Sequence, residues 1–250
     1  MKKTILALTV IVAFTVRTLA QDLHFGFQLS PSFSKMSTDV SKINGSGAAT
    51  GLKMAVIAEN RFSQTYAITS GIGFHFNAGG RLLLDAPSRY WTKSWGEFDK
   101  KPNVTGDSAA FVGGTRFRYS INFVEIPIGL KMRTLETGSH IRYFLEPHLN
   151  FGFKSNAKGD IDKNTAYEQT KINIKSEVNF INLSWGIGGG GEYVINNNTA
   201  IVLGLYYQRG FSDITDNNGR TFDTDGKSNG KNDTSKGIIS SVTVRLGVMF

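Results

Sequence analysis

SSVTVRLGVMF, residues 240–250, is the stretch on which the fold turns. Val242, Val244, Leu246, Val248 and Phe250 share one face of an extended chain, and Thr243, Arg245, Gly247 and Met249 share the other. This alternation marks a strand with one apolar and one more polar side. Soluble domains commonly let their termini fray into solvent. A strand that stays apolar to its last residue is instead expected to be held inside the structure.

Seven other segments alternate in the same way. They are DLHFGFQLSPSF (22–33), GLKMAVIAE (51–59), YAITSGIGFHF (66–76), FVEIPIGLKMR (123–133), IRYFLEPHLNFGFK (141–154), INLSWGIGGGGEYV (181–194) and AIVLGLYYQRGF (200–211). Short connections join the second to the third, the fourth to the fifth and the sixth to the seventh. The stretches 34–50, 78–116, 155–179 and 212–236 between the others are long and polar. Eight strands with short turns at one end and long loops at the other predict an all-β, antiparallel, up-and-down transmembrane barrel, short on the periplasmic side. Tyr66–Phe76 and Tyr143–Phe153 each place aromatics ten residues apart on one face. At about 3.3 Å per residue and a tilt of about 40°, that spacing spans roughly 25 Å, the height of an apolar band between two aromatic girdles. Phe25, Tyr193 and Phe250 are expected in the inner girdle; Phe33, Phe117, Tyr119, Tyr207 and Phe211 in the outer one. Alternation by itself also fits a soluble sandwich or lipocalin-like barrel, with the large residues pointing into a core.

The chain opens MKKTILALTVIVAFTVRTLA, with Lys2 and Lys3 before an apolar run and Ala20 before Gln21. That order predicts a cleaved secretory leader over residues 1–20, and a barrel domain over 21–250. The run is too short for a membrane helix. Losing Lys2, Lys3 and Arg17 lowers the formal charge from +8 to +5, with the charges scattered, so no nucleic-acid footprint is expected. There is no cysteine, hence neither a disulfide framework nor a lipid-modified thiol.

The last strand is similar to the C-terminal signal by which barrel-assembly machinery recognises its clients. On that resemblance Val244, Leu246, Val248 and Phe250 form an assembly signal. FVEIPIGLKMR resembles the EIP-containing strand of the PorT-like outer-membrane β-barrel family, and the leader and WGIGGGGEY (185–193) fit the same family. The resemblance implies an integral protein of a Gram-negative outer membrane, in contact with its lipids. One branch of that family takes part in protein secretion and gliding.

An eight-stranded barrel is just wide enough to be filled by its own side chains. The polar faces carry Lys53, Glu59, Glu125, Lys131, Arg142, Glu146, Glu192 and Arg245, which are expected to pair as a ladder along the lumen, because buried charge is tolerated only when paired. A ladder implies a plugged barrel; a narrow transport channel is the alternative. Catalysis of a lipid-modifying or proteolytic kind would need a Ser beside His75 or His148 and a carboxylate. No inward Ser stands out beside either, so no catalytic residue, cofactor or metal is assigned. GIGGGG (186–191) matches a dinucleotide fingerprint only as a string, without the strand–helix context. Its glycines are expected to bend a barrel strand, or to make room in the lumen for Arg or Lys from opposite strands. Asp213, Asp216, Asp223, Asp225 and Asp233 crowd one loop, but not at the spacing of a calcium-binding loop. The loop with Tyr90, Trp91, Trp95 and Leu82–Leu84 has two readings. Its aromatics either anchor a protein or envelope-polymer partner, with Tyr90, Trp91 and Trp95 in contact, or pack on one another above the bilayer. The expected role is non-enzymatic: a surface or assembly component acting through its loops.

Overall fold

A computed structural model describes residues 22–104, 108–136, 138–162, 166–196, 198–216, 218–222, 228–232 (backbone only) and 235–250. The expected leader, residues 1–20, lies outside them, as do Asp223, Asp225 and Asp233. Twelve strands are present among the described residues. In chain order they are β1 (Leu23–Ser37), β2 (Ile43–Arg61), β3 (Tyr66–Leu84), β4 (Ser88–Arg89), β5 (Arg116–Arg133), β6 (Ile141–Ile161), β7 (Gln169–Asn173), β8 (Ile181–Val194), β9 (Ala200–Gly210), β10 (Arg220–Phe222), β11 (Ser228–Asn232) and β12 (Ile238–Met249). Eight of them form a closed antiparallel barrel in the order β5-β3-β2-β1-β12-β9-β8-β6, with β6 returning to pair with β5. The first and last strands meet in register, Phe33 opposite Val242 and Gly26 opposite Met249. Phe25 and Phe250 exchange both backbone hydrogen bonds, at 2.9 and 2.8 Å. Closure leaves the wall without a free edge, as hydrocarbon requires of every backbone N–H and C=O.

The outward face separates membrane from soluble barrel. Phe27 and Leu205 are each 60% exposed and Tyr143 57%, while Glu59 is fully buried. Large side chains point away from the lumen and charged ones into it. In water that would leave a continuous apolar surface far larger than soluble monomers carry.

The strands run well past the apolar band. β6 is 21 residues and β2 and β3 are 19 each, so much of what reads as loop in the sequence is strand. The connection expected over 34–50 shrinks to 38–42. Three neighbouring strands change register at one level: β3 between His75 and Ala78, and the β5–β6 pairing between Asn122 and Phe123. Asn77 takes φ 55°, a left-handed geometry that Asn tolerates better than most residues. Its N–H donates to Asn122 Oδ1 at 3.0 Å, and the Ser120 hydroxyl donates to Asn77 Oδ1 at 2.6 Å. An extra residue flips the faces of a strand. On β3 the inward residues are odd up to His75 and even from Ala78; on β6 they are even through Gly152 and odd from Ala157.

Above this row the lumen becomes apolar. Phe117, Tyr119, Ile121 and Phe123 point inward and are at most 1% exposed. Phe117 and Tyr119 therefore do not belong to the outer girdle, as the sequence suggested. They form the floor of a cap completed by Leu82, Leu84, Tyr90, Trp91, Phe98, Phe111, Ile172, Ile174 and Ile214. A separate small sheet has the order β11-β10-β4.

Candidate functional site

Three polar layers fill the lumen beneath the cap. At the end with the short turns, Glu59 receives Lys131 Nζ at 2.9 Å, Arg61 Nε at 2.7 Å and the Arg133 guanidinium. Glu192, opposite, pairs with Lys131 and with Arg133 at 3.5 Å. In the middle layer, Glu146 accepts from Thr69 Oγ1 (2.9 Å), Tyr206 Oη (2.6 Å) and Arg245 (2.9 Å), while the Arg245 guanidinium lies 3.6 Å from the Tyr206 ring centre. In the upper layer, Lys53 Nζ donates to Glu125 Oε2 at 3.0 Å and to Gln208 Oε1 at 2.7 Å.

Seven of the eight ladder residues thus come together in the barrel. Arg142 does not: it donates to Glu136 at 3.0 Å, in the turn before β6, and is part exposed at the mouth. The long guanidinium follows an acid in the turn instead of entering a layer whose carboxylates are already occupied.

One hydrogen-bonded chain escaped the sequence reading. Ser32 Oγ lies 2.9 Å from His75 Nε2, and His75 Nδ1 lies 3.2 Å from Glu125 Oε1. Ser32 is inward because even residues of β1 face the lumen, a parity the run SPSFS hides by mixing Ser with Pro and Phe. All three are almost wholly buried beneath the cap. His148 turns its Nδ1 to the Glu146 backbone oxygen at 3.4 Å and, among the described residues, makes no hydrogen bond to a carboxylate.

The glycines of β8 serve rings, not cations. A Cβ at Gly186 would enter the His148 ring and one at Gly188 the Tyr206 ring. A cavity of about 40 Å³, room for about three waters, lies between Gln28, Lys53, Glu125, Asn150, Tyr206 and Arg245.

The aromatic loop resolves toward internal packing. Tyr90 and Trp91 are 5% and 2% exposed, and Trp95 packs against the same cluster. Trp91 Nε1 donates to Tyr119 Oη, which donates to Tyr90 Oη, both at 2.8 Å. The Trp91 ring meets Phe117 edge-on at 4.7 Å and lies on Gly159, where any Cβ would collide with it. Tyr90 and Trp91 are thus packed inside the cap, where their faces are out of water, while Trp95 stays partly exposed at its edge.

The described part of the acidic loop holds Asp213 and Asp216 in contacts of their own. Asp213 accepts the N–H groups of Thr215 and Gly237, and Asp216 pairs with Lys93. Among the described residues no His, Asp and Glu group has the arrangement of a metal site. Below it Glu177 accepts the Ser94 N–H at 2.7 Å, and burial holds its carboxyl above the usual carboxylate range. A carboxyl whose pKa is raised on folding contributes stability below its unfolded pKa and loses it as pH rises through the folded value. The cap is therefore expected to become more protease-sensitive as pH rises from the ordinary carboxylate range through the raised value of Glu177. Glu177→Gln should flatten that dependence, as limited proteolysis across the range would show.

A closed barrel with an apolar outer band and a salt-bridged lumen is a membrane barrel. The chain belongs to the outer membrane protein beta-barrel domain family, whose model matches residues 19–216. It is similar in fold to Neisserial surface protein A (14% identity, 90% of this chain and 95% of that one, TM-score 0.41). It is also similar to the outer membrane protein OprG from Pseudomonas aeruginosa (9%, 92% and 96%, 0.41) and to Ail, the attachment invasion locus protein of Yersinia pestis (9%, 92% and 100%, 0.37). These likenesses concern fold alone. No curated protein matches the sequence.

Proposed function

We propose that this protein is a non-enzymatic, non-conducting outer-membrane component that meets a protein or envelope-polymer partner through the polar exterior of its cap. The observation that carries this reading is the double seal: paired charges below and a packed aromatic cap above, with no continuous water path needed to satisfy either. The leader at 1–20 directs export and is removed, and Val244, Leu246, Val248 and Phe250 present the strand that the assembly machinery takes up. The EIP-bearing strand supports placing the chain beside PorT-like barrels, and a secretion or gliding role follows from that resemblance.

Planar-bilayer recording tests the seal. The folded barrel is expected to give no single-channel steps in molar salt at any voltage the bilayer survives. Steady ohmic openings would favour the small transport barrel instead. Crosslinking in intact cells, from cysteines placed singly on the outer surface of 85–115, should then capture the partner.

A further inference from the structure

Outside the lumen and cap, one wall of the barrel carries a cation cluster for which the proposed function has no use. On the outward face of β5, Arg116 and Arg118 continue the row that carries Ile126, Ile128 and Leu130 lower down. Arg81 on β3 lies directly opposite Arg118, and Leu83 opposite Arg116. On β6, Lys158 lies opposite Ser120 and Asp160 opposite Arg118. Asp160 is the acid in register; it stands 3.7 Å from Arg118 and also accepts the Lys171 N–H at 2.8 Å. Asp162, whose N–H donates to the Arg116 carbonyl at 3.0 Å, follows Asp160 on the same face, so four cations face two carboxylates. Like charges directly opposite across a strand pair are destabilising unless something anionic lies between them. The register changes near Asn77 and Ser155 put Arg81 and Lys158 on this outer face; without the flips both would point into the apolar cap.

Height narrows the ligand. Along β5, Ser120 and Arg118 lie four and six residues beyond Val124, where the apolar band ends. At about 3.3 Å per residue and about 40° of tilt, they stand roughly 10 and 15 Å above it. An ordinary headgroup layer is only about 5–8 Å deep. The patch is at the end away from the short turns, hence at the outer leaflet.

We infer that Arg81, Arg116, Arg118 and Lys158 form a binding site for the phosphates of an outer-leaflet glycolipid, whose headgroup is tall enough to reach them while its acyl chains lie along Ile126, Ile128 and Phe151.

Native mass spectrometry of the folded barrel in detergent, titrated with lipid A bearing two phosphates, tests this directly. Saturable binding of one or two lipids is expected. Each cation beside an anionic layer is worth about fivefold in binding, so Arg81→Gln/Arg118→Gln/Lys158→Gln should weaken it by about a hundredfold. Lys35→Gln/Arg209→Gln, on the opposite wall, should leave it unchanged. Dephosphorylated lipid A should bind weakly, and inorganic phosphate should not compete at millimolar concentration. Equal binding by the triple variant, or by dephosphorylated lipid, would overturn the site. Equal binding of phosphatidylglycerol would overturn the glycolipid assignment. If the triple variant fails to fold, Arg118→Gln against the charge-keeping Arg118→Lys decides: a loss in the first and not in the second supports the site, and no difference refutes it.

Discussion

Glu59→Gln is expected to cost the barrel about 3–5 kcal/mol, the usual penalty for removing one partner from a buried charge cluster. Glu59 is the carboxylate on which Lys131, Arg133 and Arg61 converge. Glutamine keeps the shape and one acceptor oxygen but leaves Lys131 and Arg133 with Glu192 alone and removes the carboxylate that holds Arg61. Urea-dependent unfolding in lipid vesicles, followed by the heat-dependent mobility shift on a gel, would measure the loss. A second substitution sharpens the reading. Lys131→Met on top of Glu59→Gln removes the surplus cation, and Met can occupy the aliphatic path beside Phe144, whose ring lies 4.8 Å from Lys131 Nζ. The double variant should be more stable than Glu59→Gln alone. Additive losses would mean that the layer is hydrated well enough for its charges to act independently.

Trp91→Ala carries the second large expectation, also about 3–5 kcal/mol, but confined to the cap. Trp91 is held at φ 49°, uncommon for a bulky residue, so its surroundings impose the conformation. Alanine would leave a void between Phe117, Tyr119 and Gly159 and strip Tyr119 Oη of its indole donor. Protease sites in 85–115 should become accessible while the heat-dependent mobility of the barrel persists. Conductance should stay absent, because the charge layers below remain. If Trp91→Ala opened a pore, the lower seal would be the wrong part of the account.

The wall was readable from the sequence because both of its solvents impose period two. Lipid selects Phe27, Leu203 and Leu246 on one face, and the lumen selects Glu59, Glu146 and Arg245 on the other, so alternation and strand count followed. The cap was not readable, since its selection is that of a soluble core with no fixed period. Phe117 and Tyr119 have the composition of girdle residues, and nothing in RFRYSIN says that they face inward. Tyr90, Trp91 and Trp95 read equally as a contact surface or as packing, because an isolated aromatic loop lacks the strand that would set its direction. Register changes are silent for a similar reason: Asn77 and Asn122 are ordinary loop residues until each is seen bonded to the other. Ser32 stayed hidden because the His75–Ser32 contact joins strands 43 residues apart.

That row of register changes also sets rules for substitution. On β3, a lysine scan should be poorly tolerated at even positions from Ile68 to Phe76, where it would meet hydrocarbon, and at Ala78, Leu82 and Leu84, where it would enter the cap. Arg81 and Leu83 should accept it. The forbidden positions are even on both sides of Asn77, but for opposite reasons: lipid below, a protein core above. Replacing the surrounding bilayer with detergent should relax only the lower set, so one mutant library in two environments would locate the membrane boundary to within a residue or two.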